Sequence, residues 1–402
     1  MCPAGARAFE AADRRFPWRF GFLVAACCAV LLVPPQAAAT SAVGGFAAVE
    51  AKDPAWEIVA TPNPDRSAGL VDVDAVPRRA WAVGFSLPET GPAFRTVALL
   101  RGRDGWRRIA TPNPDPLFNR LDGVAVVSRG NAWAAGSRGK GTLIEHWRNE
   151  RWRVAPSANR RRQQNNLQAI AAAGADDVWA VGLTQRRDGS SASGLIERWD
   201  GNTWRIVPSP NPKVYTSLIG VDARSSEDAW AVGTAVGLTG KARNVTLHWD
   251  GIAWKAVPTP SPGLFDNTLE DVVALGPDDA WAVGYAADSG VSSRTPLILH
   301  WDGVTWAVVP SPPLSGQLNG IVAAREGRGG AVGYREEPAV TLIERWNGSA
   351  WAEQVSADRP GSNDDALFGV AFGGGLERTW AVGSAATPDG RLHTLLEQPS
   401  VR

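Results

Sequence analysis

Cysteine is almost missing from this 402-residue sequence, and its three cysteines, Cys2, Cys27 and Cys28, all lie near the N-terminus. Residues 40–402 therefore contain none. This absence excludes a disulfide framework, a thiolate metal site and a cysteine nucleophile from that region. A chain of this size can still bury a large core, so we expect its stability to come from packing.

An excess of charge of either sign is missing as well. Residues 40–402 carry 37 lysines and arginines against 39 aspartates and glutamates, and no basic stripe stands out. Nucleic acids and anionic membranes are therefore not expected as partners. The sequence also lacks a Gly-x-Ser-x-Gly motif, a phosphate-binding loop and a His-Glu-x-x-His segment, so no common catalytic motif points to an activity.

Long apolar runs are limited to one, at residues 20–33, which follows several arginines and precedes an Ala-x-Ala site at 37–39. This layout predicts a secretory signal peptide over residues 1–39, followed by a short linker over residues 40–54. The run is short for a bilayer span, so we expect no transmembrane span in the mature chain. Lipidation at Cys27 and an uncleaved anchor are the alternatives. The predicted location is secreted or otherwise extracytoplasmic.

Tryptophan, by contrast, is abundant, with 19 copies. Six of them stand in the phrase Trp-Ala-Val-Gly or a close variant, at positions 81, 133, 179, 230, 281 and 380. A degenerate copy, in which Gly330 replaces the tryptophan, completes a series with intervals of 46 to 52 residues. A period of this length indicates a repeat architecture.

Each repeat reads as four strands, and one repeat serves as the example. The first strand, 218–223, is followed by an acidic turn and by the second strand, 229–233, in which Trp230 and the small alanines face opposite sides. A variable loop leads to the third strand, 245–249. An Asp-Gly dipeptide then predicts a tight hairpin into the fourth strand, 253–257, which a proline ends.

Four-stranded units with bulky residues on one face and small residues on the other can stack against copies of themselves. We therefore predict an all-β fold, a seven-bladed β-propeller over residues 55–398 with a short tail at 399–402. The last repeat ends before its fourth strand. That strand is found at residues 55–64, which match the fourth-strand phrase at 203–212. We expect this N-terminal strand to complete the last blade and close the ring.

The pattern resembles the Kelch-type propellers, including the central domain of the galactose oxidase superfamily. Gly233 at the end of a second strand and Trp254 in the Asp-Gly-x-x-Trp turn match the spacing of that repeat. The double glycine of Kelch repeats is mostly a single glycine here. The same turn is similar to half of the Asp-box of sialidase-like propellers, whose leading Ser or Thr is missing. The resemblance implies the fold of residues 55–398.

A copper oxidase site of the galactose oxidase type is excluded, because it needs a cysteine-modified tyrosine. His146, His248 and His300 each precede a repeat tryptophan, at a position that arginine fills elsewhere. We interpret them as solvent-facing strand residues, since equivalent positions on different blades lie too far apart to share a metal. The same argument separates glutamates such as Glu145 and Glu197. No metal and no cofactor is expected.

The loops before the first strands and those between the second and third strands escape the repeat, as binding loops on rigid scaffolds commonly do. Just before the first-strand leucine, four repeats place a small polar residue, namely Asn119, Asn165, Thr216 and Asn267. We regard these four as candidate ligand contacts around the mouth of the channel. A structural role at the start of each strand is the alternative.

Three aromatic residues, Phe118, Tyr215 and Phe265, occupy similar loop positions and are candidates for a rim that binds sugars or protein. Arg161, in a run of three arginines, is a candidate contact for an anionic partner. A solvated loop is the simpler interpretation of that run.

These observations predict a secreted, monomeric, non-catalytic binding module whose ligand is a glycan or another exported protein. The alternative is a carbohydrate-active enzyme, a glycoside hydrolase or lyase, with a site assembled from the same loops. A catalytic site would bring two carboxylates, or a carboxylate and a histidine, together at the loop-side mouth with shifted pKa values. A binding module would present an aromatic or polar surface without such a pair.

Overall fold

The computed structural model describes residues 55–400, apart from 64, 290–293, 325–327, 337–338, 359–361, 363 and 375–377. The predicted leader and linker lie outside the described residues. Residues 55–402 form one compact unit. The described residues carry 28 strands and no α-helix. Within the described part of the chain, no helix has the length and apolarity needed to cross a membrane.

The strands form six sheets, and in four of these sheets four consecutive strands pair in chain order. These four sheets are β2–β5 (Ser67–Val76, Arg79–Leu87, Arg95–Gly102, Gly105–Ile109), β6–β9 (Asn119–Ser128, Asn131–Arg138, Gly141–Arg148, Arg151–Ala155), β18–β21 (Asp266–Gly276, Asp279–Ala287, Arg294–Trp301, Trp306–Val309) and β22–β25 (Gly316–Ala324, Arg328–Arg335, Thr341–Trp346, Trp351–Glu353). Neighbouring strands within each are antiparallel.

The fifth sheet has eight strands. It consists of two further sets of four, β10–β13 (Gln163–Gly174, Asp177–Arg186, Ala192–Trp199, Trp204–Ile206) and β14–β17 (Tyr215–Ser225, Asp228–Val236, Ala242–Trp249, Trp254–Val257). A parallel pairing between Ala192 and Tyr215 joins the two sets. Each set therefore repeats the order of the four-stranded sheets.

The sixth sheet combines the two ends of the described chain. It contains β26 (Asp364–Phe372), β27 (Thr379–Ala386), β28 (Leu392–Pro399) and the N-terminal strand β1 (Trp56–Ile58). β1 pairs antiparallel with β28, with Trp56 opposite Pro399. The N-terminal strand thus takes the fourth place in the last sheet, as its sequence predicts.

The hairpin between the third and fourth strands follows from its Asp-Gly dipeptide. Gly251 has a φ of 87°, in the left-handed region that glycine enters without strain. The Asp250 carboxylate accepts the backbone N–H groups of Ile252 and Ala253 at 3.0 and 2.9 Å. These hydrogen bonds lower the pKa of Asp250, together with a contact from the Lys255 ammonium, which contributes most. The turn thus fixes the register of β16 and β17.

Tryptophans of the second strands join neighbouring sets. Trp230 of β15 lies 5.1 Å from the rings of both Trp301 and Trp306 in the next set. The same contact recurs between Trp81 and Trp147/Trp152, Trp133 and Trp199/Trp204, Trp179 and Trp249/Trp254, and Trp281 and Trp346/Trp351. Trp380 of the last sheet lies 6.0 Å from Trp106 of the first. The repeated tryptophans therefore form the core between sheets.

Aspartates of the first strands tie neighbouring sets together at a second level. Asp72 accepts the N–H of Val73 on its own strand and that of Val124 in the next set, both at 2.8 Å. Asp222 makes the equivalent pair with Ala223 and Ala274. Because one carboxylate holds two strands, it fixes the spacing between adjacent first strands.

Candidate ligand-binding loop face

The loops before the first strands and the loops between second and third strands contact one another through a series of hydrogen bonds. The carbonyl of Lys140 accepts the N–H of Asn165 at 3.0 Å. The N–H of Ala192 donates to Val214 at 3.2 Å, and the N–H of Ala242 donates to Asp266 at 3.3 Å. We call this series the loop arc, defined by residues 115–118, 138–141, 159–163, 186–191, 213–215, 236–243 and 263–266.

Three of the predicted polar contacts hold the loop arc in place. The Asn119 amide accepts the N–H of Asp115 at 2.9 Å and donates back to the carbonyl of the same residue. Asn267 makes the same pair with Gly263, at 2.7 and 2.8 Å, and Asn165 makes it with Arg160, at 3.0 and 3.1 Å. Each side chain therefore closes the loop that precedes its own strand.

These amides are not open to a ligand. Asn119 and Asn267 have no exposed surface, and Asn165 is 4% exposed. Thr216, at the equivalent position, is fully buried as well. Direct ligand contact by these four residues remains a prediction that the geometry does not favour, because their polar groups face the protein interior. The arrangement matches the structural alternative, and its effect is to make the loops rigid.

The three predicted aromatic residues do not form a continuous rim. Phe118 is half-buried and lies 5.6 Å from the ring of Phe94. Tyr215 is half-buried, and its hydroxyl donates to the carbonyl of Gly189. Phe265 is 43% exposed. Of these three, only Phe265 offers a large free ring surface.

Aliphatic side chains that the sequence analysis missed provide more apolar surface on the loop arc. Leu117, Val214, Leu238 and Leu264 are exposed by 62%, 40%, 95% and 68%. Leu117, Val214 and Leu264 directly precede the predicted residues at 118, 215 and 265. The sequence did contain a signal, since apolar residues in loops outside the strand pattern are candidates for binding.

Cations are concentrated on the same loops. Five segments of the loop arc contain ten lysines and arginines and one acidic residue, Asp188. These segments are 138–141, 159–163, 186–191, 213–215 and 236–243. Arg161, the predicted anion contact, is exposed in the middle of this group. The balanced total charge conceals the group, because the sequence spacing of these cations is irregular. We call these five segments the basic sector.

Carboxyl groups with a raised pKa lie on strands and not on the loop arc. Burial raises the pKa of Glu145 to about 8, and that of Glu197 and Glu397 to about 7. On the loops, hydrogen bonds from backbone N–H groups lower the pKa of Asp115 and Asp188. The loop carboxylates are thus ionised, whereas a general acid needs a raised pKa.

Two of these glutamates, Glu197 and Glu397, bind backbone or hydroxyl groups of the preceding crossover. Glu197 accepts the N–H of Ala158 at 2.9 Å. Glu397 accepts the N–H of Ala357 at 3.1 Å and the hydroxyl of Ser356 at 2.9 Å. These contacts give the glutamates a structural role.

The expected solvent exposure of the histidines is only partly correct. His146 stacks on Trp133 with ring centroids 3.6 Å apart, and burial lowers its pKa to about 4. His248 contacts the Asp228 carboxylate at 2.8 Å, and His300 contacts that of Asp279 at 2.9 Å. The stacking on tryptophan explains why both histidine and arginine fit this position. Among the described residues, no group of three acidic or histidine side chains is placed to hold a metal ion.

A second polar cluster lies near the loop ends of β19, β20 and β23. The buried guanidinium of Arg294 donates to the Tyr334 hydroxyl at 2.9 Å and lies 4.7 Å from the ring centroid of Tyr285. Glu336 is 3.9 Å from the same guanidinium. Sequence reasoning missed this cluster, although Tyr285 and Tyr334 both follow the repeat glycine. Buried and mutually bonded, these side chains fix the position of the β20 end.

Comparisons with known proteins agree with this architecture. No protein-family model matches the chain, and no curated protein matches it. Among solved structures, YCF48 bound to a D1 peptide is similar, with a TM-score of 0.55, 14% identity and coverage of 87% of this chain and 98% of that chain.

A sialidase from Trypanosoma rangeli, in complex with sialic acid, is similar with a TM-score of 0.47 and 12% identity. The match covers 83% of this chain but only 54% of the sialidase. At these identities a likeness shows the fold alone. YCF48 is a β-propeller protein, and this chain has the β-propeller fold.

Proposed function

We propose that this chain is an exported, seven-bladed β-propeller that binds a segment of another polypeptide on its loop arc. The blade count is supported by 28 strands in sets of four. Ring closure is supported by two contacts between the last set and the first. Trp380 lies against Trp106, and a Cβ added at Gly369 would lie 2.9 Å from the Asp72 Cα. A Kelch-type repeat remains our hypothesis for the family.

Export is proposed from the sequence alone. The apolar run at 20–33 and the Ala-x-Ala site at 37–39 support a cleaved leader. The absence of cysteine from residues 40–402 makes the fold independent of disulfide chemistry outside the cytoplasm. We further propose that the mature chain is a monomer.

The observation that carries the binding role is the set of exposed apolar side chains on rigid loops. Leu117, Leu238, Leu264 and Phe265 project from segments whose backbone is held by neighbouring loops or by a buried asparagine. Exposed apolar side chains on a preorganised surface favour binding, because little conformational freedom is lost on association. The similar fold of YCF48, solved with a bound peptide, supports a polypeptide as the ligand class.

A glycan ligand has less support. Sugar rings stack on flat aromatic faces, whereas most of the exposed apolar surface here is aliphatic. The carbohydrate-active enzyme is also less well supported, because the carboxyls with raised pKa values lie on strands. We therefore place the polypeptide partner first and treat the glycan as a competing outcome of the test.

Site-specific photocrosslinking in cells that export the full chain tests this proposal. A benzophenone amino acid would replace Leu264 on the loop arc, or Ile252 in the hairpin between β16 and β17 as the matched control. Both side chains are highly exposed, by 68% and 86%. We expect a protein adduct from position 264 and none, or far less, from position 252.

Mass spectrometry of the adducts decides between the outcomes. Equal yields from the two positions would contradict a specific loop-face site. Adducts that contain carbohydrate and no peptide would contradict the polypeptide partner and favour the glycan.

A further inference from the structure

We propose that the partner segment is acidic and carries apolar side chains between its acidic residues, and that the basic sector binds it. This inference rests on the proposed function, since it specifies the chemistry of the polypeptide. It goes beyond that function because it names the part of the loop arc that recognises the partner and the feature that is recognised.

The charge of the loop face is strongly asymmetric. The basic sector contains ten cationic residues and one acidic residue. The equivalent loops farther along the chain, 287–294, 335–341, 354–365 and 387–392, contain four cationic residues and seven acidic ones. A surface of one sign raises the local concentration of ligands of the opposite sign and speeds their association. An acidic segment would be attracted to one half of the face and repelled by the other.

The cations of the basic sector are available to a partner. Arg161, Arg187, Lys213 and Lys241 are exposed. Within the described part of the chain these four side chains form no ion pair. Elsewhere an exposed cation can be paired within the chain, as Arg205 is with Asp200 at 3.4 Å. The basic sector therefore offers charge that the protein itself does not neutralise.

The backbone under these cations is fixed. Asn165 holds both the N–H and the carbonyl of Arg160, next to Arg161. The Tyr215 hydroxyl holds Gly189 in the neighbouring loop. A Cβ added at Gly237 would lie 3.6 Å from the Cδ of Lys213, so these two loops touch. The cations are thus presented on contiguous, ordered segments.

Apolar side chains interleave with these cations, which selects the class of macromolecule. Val214 follows Lys213 directly, and Leu238 precedes Lys241 in the same loop. An anionic polysaccharide has no apolar side chains to cover Leu238, which is 95% exposed. An acidic peptide with leucine or valine among its glutamates matches both features. The surface therefore favours acidic polypeptide over acidic polysaccharide.

Direct binding to the full chain tests this chemistry. The probe is a fluorescent peptide of Glu-Glu-Leu repeats, with the same peptide carrying Gln for Glu as its neutral control. We expect the acidic peptide to bind at least about tenfold more tightly than the neutral one, and its affinity to fall as salt is raised.

Charge reversal locates the site. The double variant Arg161→Glu/Arg187→Glu should lose at least about tenfold in affinity for the acidic peptide, which corresponds to about 1.4 kcal/mol. The matched control is Arg151→Glu/Arg153→Glu, which reverses the same charge at exposed positions on β9. We expect the control to change the affinity by less than about twofold, and both variants to keep the melting temperature of the parent.

Each outcome bears on one proposal or the other. Equal losses in the two double variants, equal binding of the two peptides, or binding of polygalacturonate without binding of the acidic peptide would overturn the acidic-segment inference. If that inference fails while position 264 still crosslinks to a polypeptide, the proposed function stands with a different partner chemistry. If position 264 yields no polypeptide adduct, the proposed function fails first.

Discussion

Two contacts between neighbouring strand sets differ sharply in how they are filled. In the first contact, which we call the tryptophan joint, Trp230 inserts between Trp301 and Trp306 of the next set. In the second contact, which we call the glycine joint, Gly330 occupies the position equivalent to Trp230. A Cβ added there would meet nothing closer than Val322 at 3.8 Å. The next set, at the ends of the chain, offers Pro399 and the half-buried Trp56 instead of two tryptophans.

The difference shows that the repeat tolerates a weakened joint where β1 and β28, the first and last described strands, meet. Val332, Ile343 and Leu367 still form a buried cluster there, against which Trp56 packs. The aliphatic half of the joint is therefore retained, while the aromatic half is lost. We expect the tryptophan joint to be sensitive to substitution and the glycine joint to be tolerant.

The largest effect is expected from Trp230→Ala, which removes a fully buried ring from the tryptophan joint. The free energy of unfolding should fall by about 3–5 kcal/mol, because a cavity replaces the indole between two other rings. Urea unfolding measures the loss. Trp56→Ala at the glycine joint is the comparison, and since Trp56 is only half-buried its loss should be clearly smaller. Equal losses would show that the two joints are equivalent.

A second contrast compares two second-strand glycines: the repeat glycine Gly233, three residues after Trp230, and Gly330 at the glycine joint. In Gly233→Ala the new methyl group would lie 2.0 Å from the Ser217 carbonyl oxygen. Strain of this kind typically costs about 1–3 kcal/mol or more. In Gly330→Ala the new methyl group would make only ordinary van der Waals contacts, with Val322 at 3.8 Å and the Glu344 carbonyl oxygen at 4.0 Å. This variant should change the stability by less than about 1 kcal/mol, with a gain as the expected sign. A large loss in Gly330→Ala, measured by the same unfolding assay, would mean that the glycine joint is already filled.

The pH dependence of stability should also differ between the joints. Burial raises the pKa of Glu397 at the glycine joint to about 7, from an ordinary 4.5. The folded state therefore binds a proton that the unfolded state releases, so the free energy of unfolding falls as pH rises from about 4.5 to about 7. This contribution is complete below pH 4.5 and absent above pH 7. At the tryptophan joint the equivalent residue is Leu299, which contributes no such slope.

Glu397→Gln should flatten the stability profile between these pH values, by on the order of 1–3 kcal/mol across the window. Unfolding curves at pH 5 and pH 7.5 for the parent and the variant supply the measurement. Leu299→Met is the control, and its profile should parallel that of the parent. A variant slope that matches the parent slope would assign the pH dependence to other carboxyls.

The smallest expected effect concerns local opening of the strands at the two joints. Amide hydrogens of β23, which carries Gly330, should exchange faster than those of β15, which carries Trp230, because fewer buried contacts oppose local opening. Exchange followed by mass spectrometry compares the two strands in one experiment. Similar protection in both strands would show that the aliphatic cluster alone holds the glycine joint.

Repeat chemistry explains why so much of the architecture could be read from the sequence. The tryptophans at 81, 133, 179, 230 and 281 specify the joints, and Asp250-Gly251 specifies its hairpin, because each residue type has one physical use at that position. The strands extend beyond the predicted cores. β14 begins at Tyr215, three residues before the predicted strand at 218, because pairing with β15 continues to Val236.

The candidate site was harder to predict, because the residue types found there have more than one physical use at their positions. Asn119 and Asn267 stand at strand starts, where an amide can face a ligand or its own loop, and only the three-dimensional structure shows that it holds Asp115 or Gly263. The basic sector was concealed because its cations are far apart in sequence and the other half of the face carries the opposite charge. Proximity between loops of different repeats is set by the fold and leaves no mark on local composition.

The pairing of β1 with β28 has a consequence for the order in which the chain can fold. Gln398 donates to Glu57 at 2.9 Å across a separation of 341 residues, so this sheet forms only after β28 has been synthesised. Such a distant contact closes slowly, because the ends of a long unfolded chain seldom meet. A circular permutant that joins residue 400 to residue 55 through a short linker and opens the chain at an exposed hairpin would turn this last, long-range step into a local one.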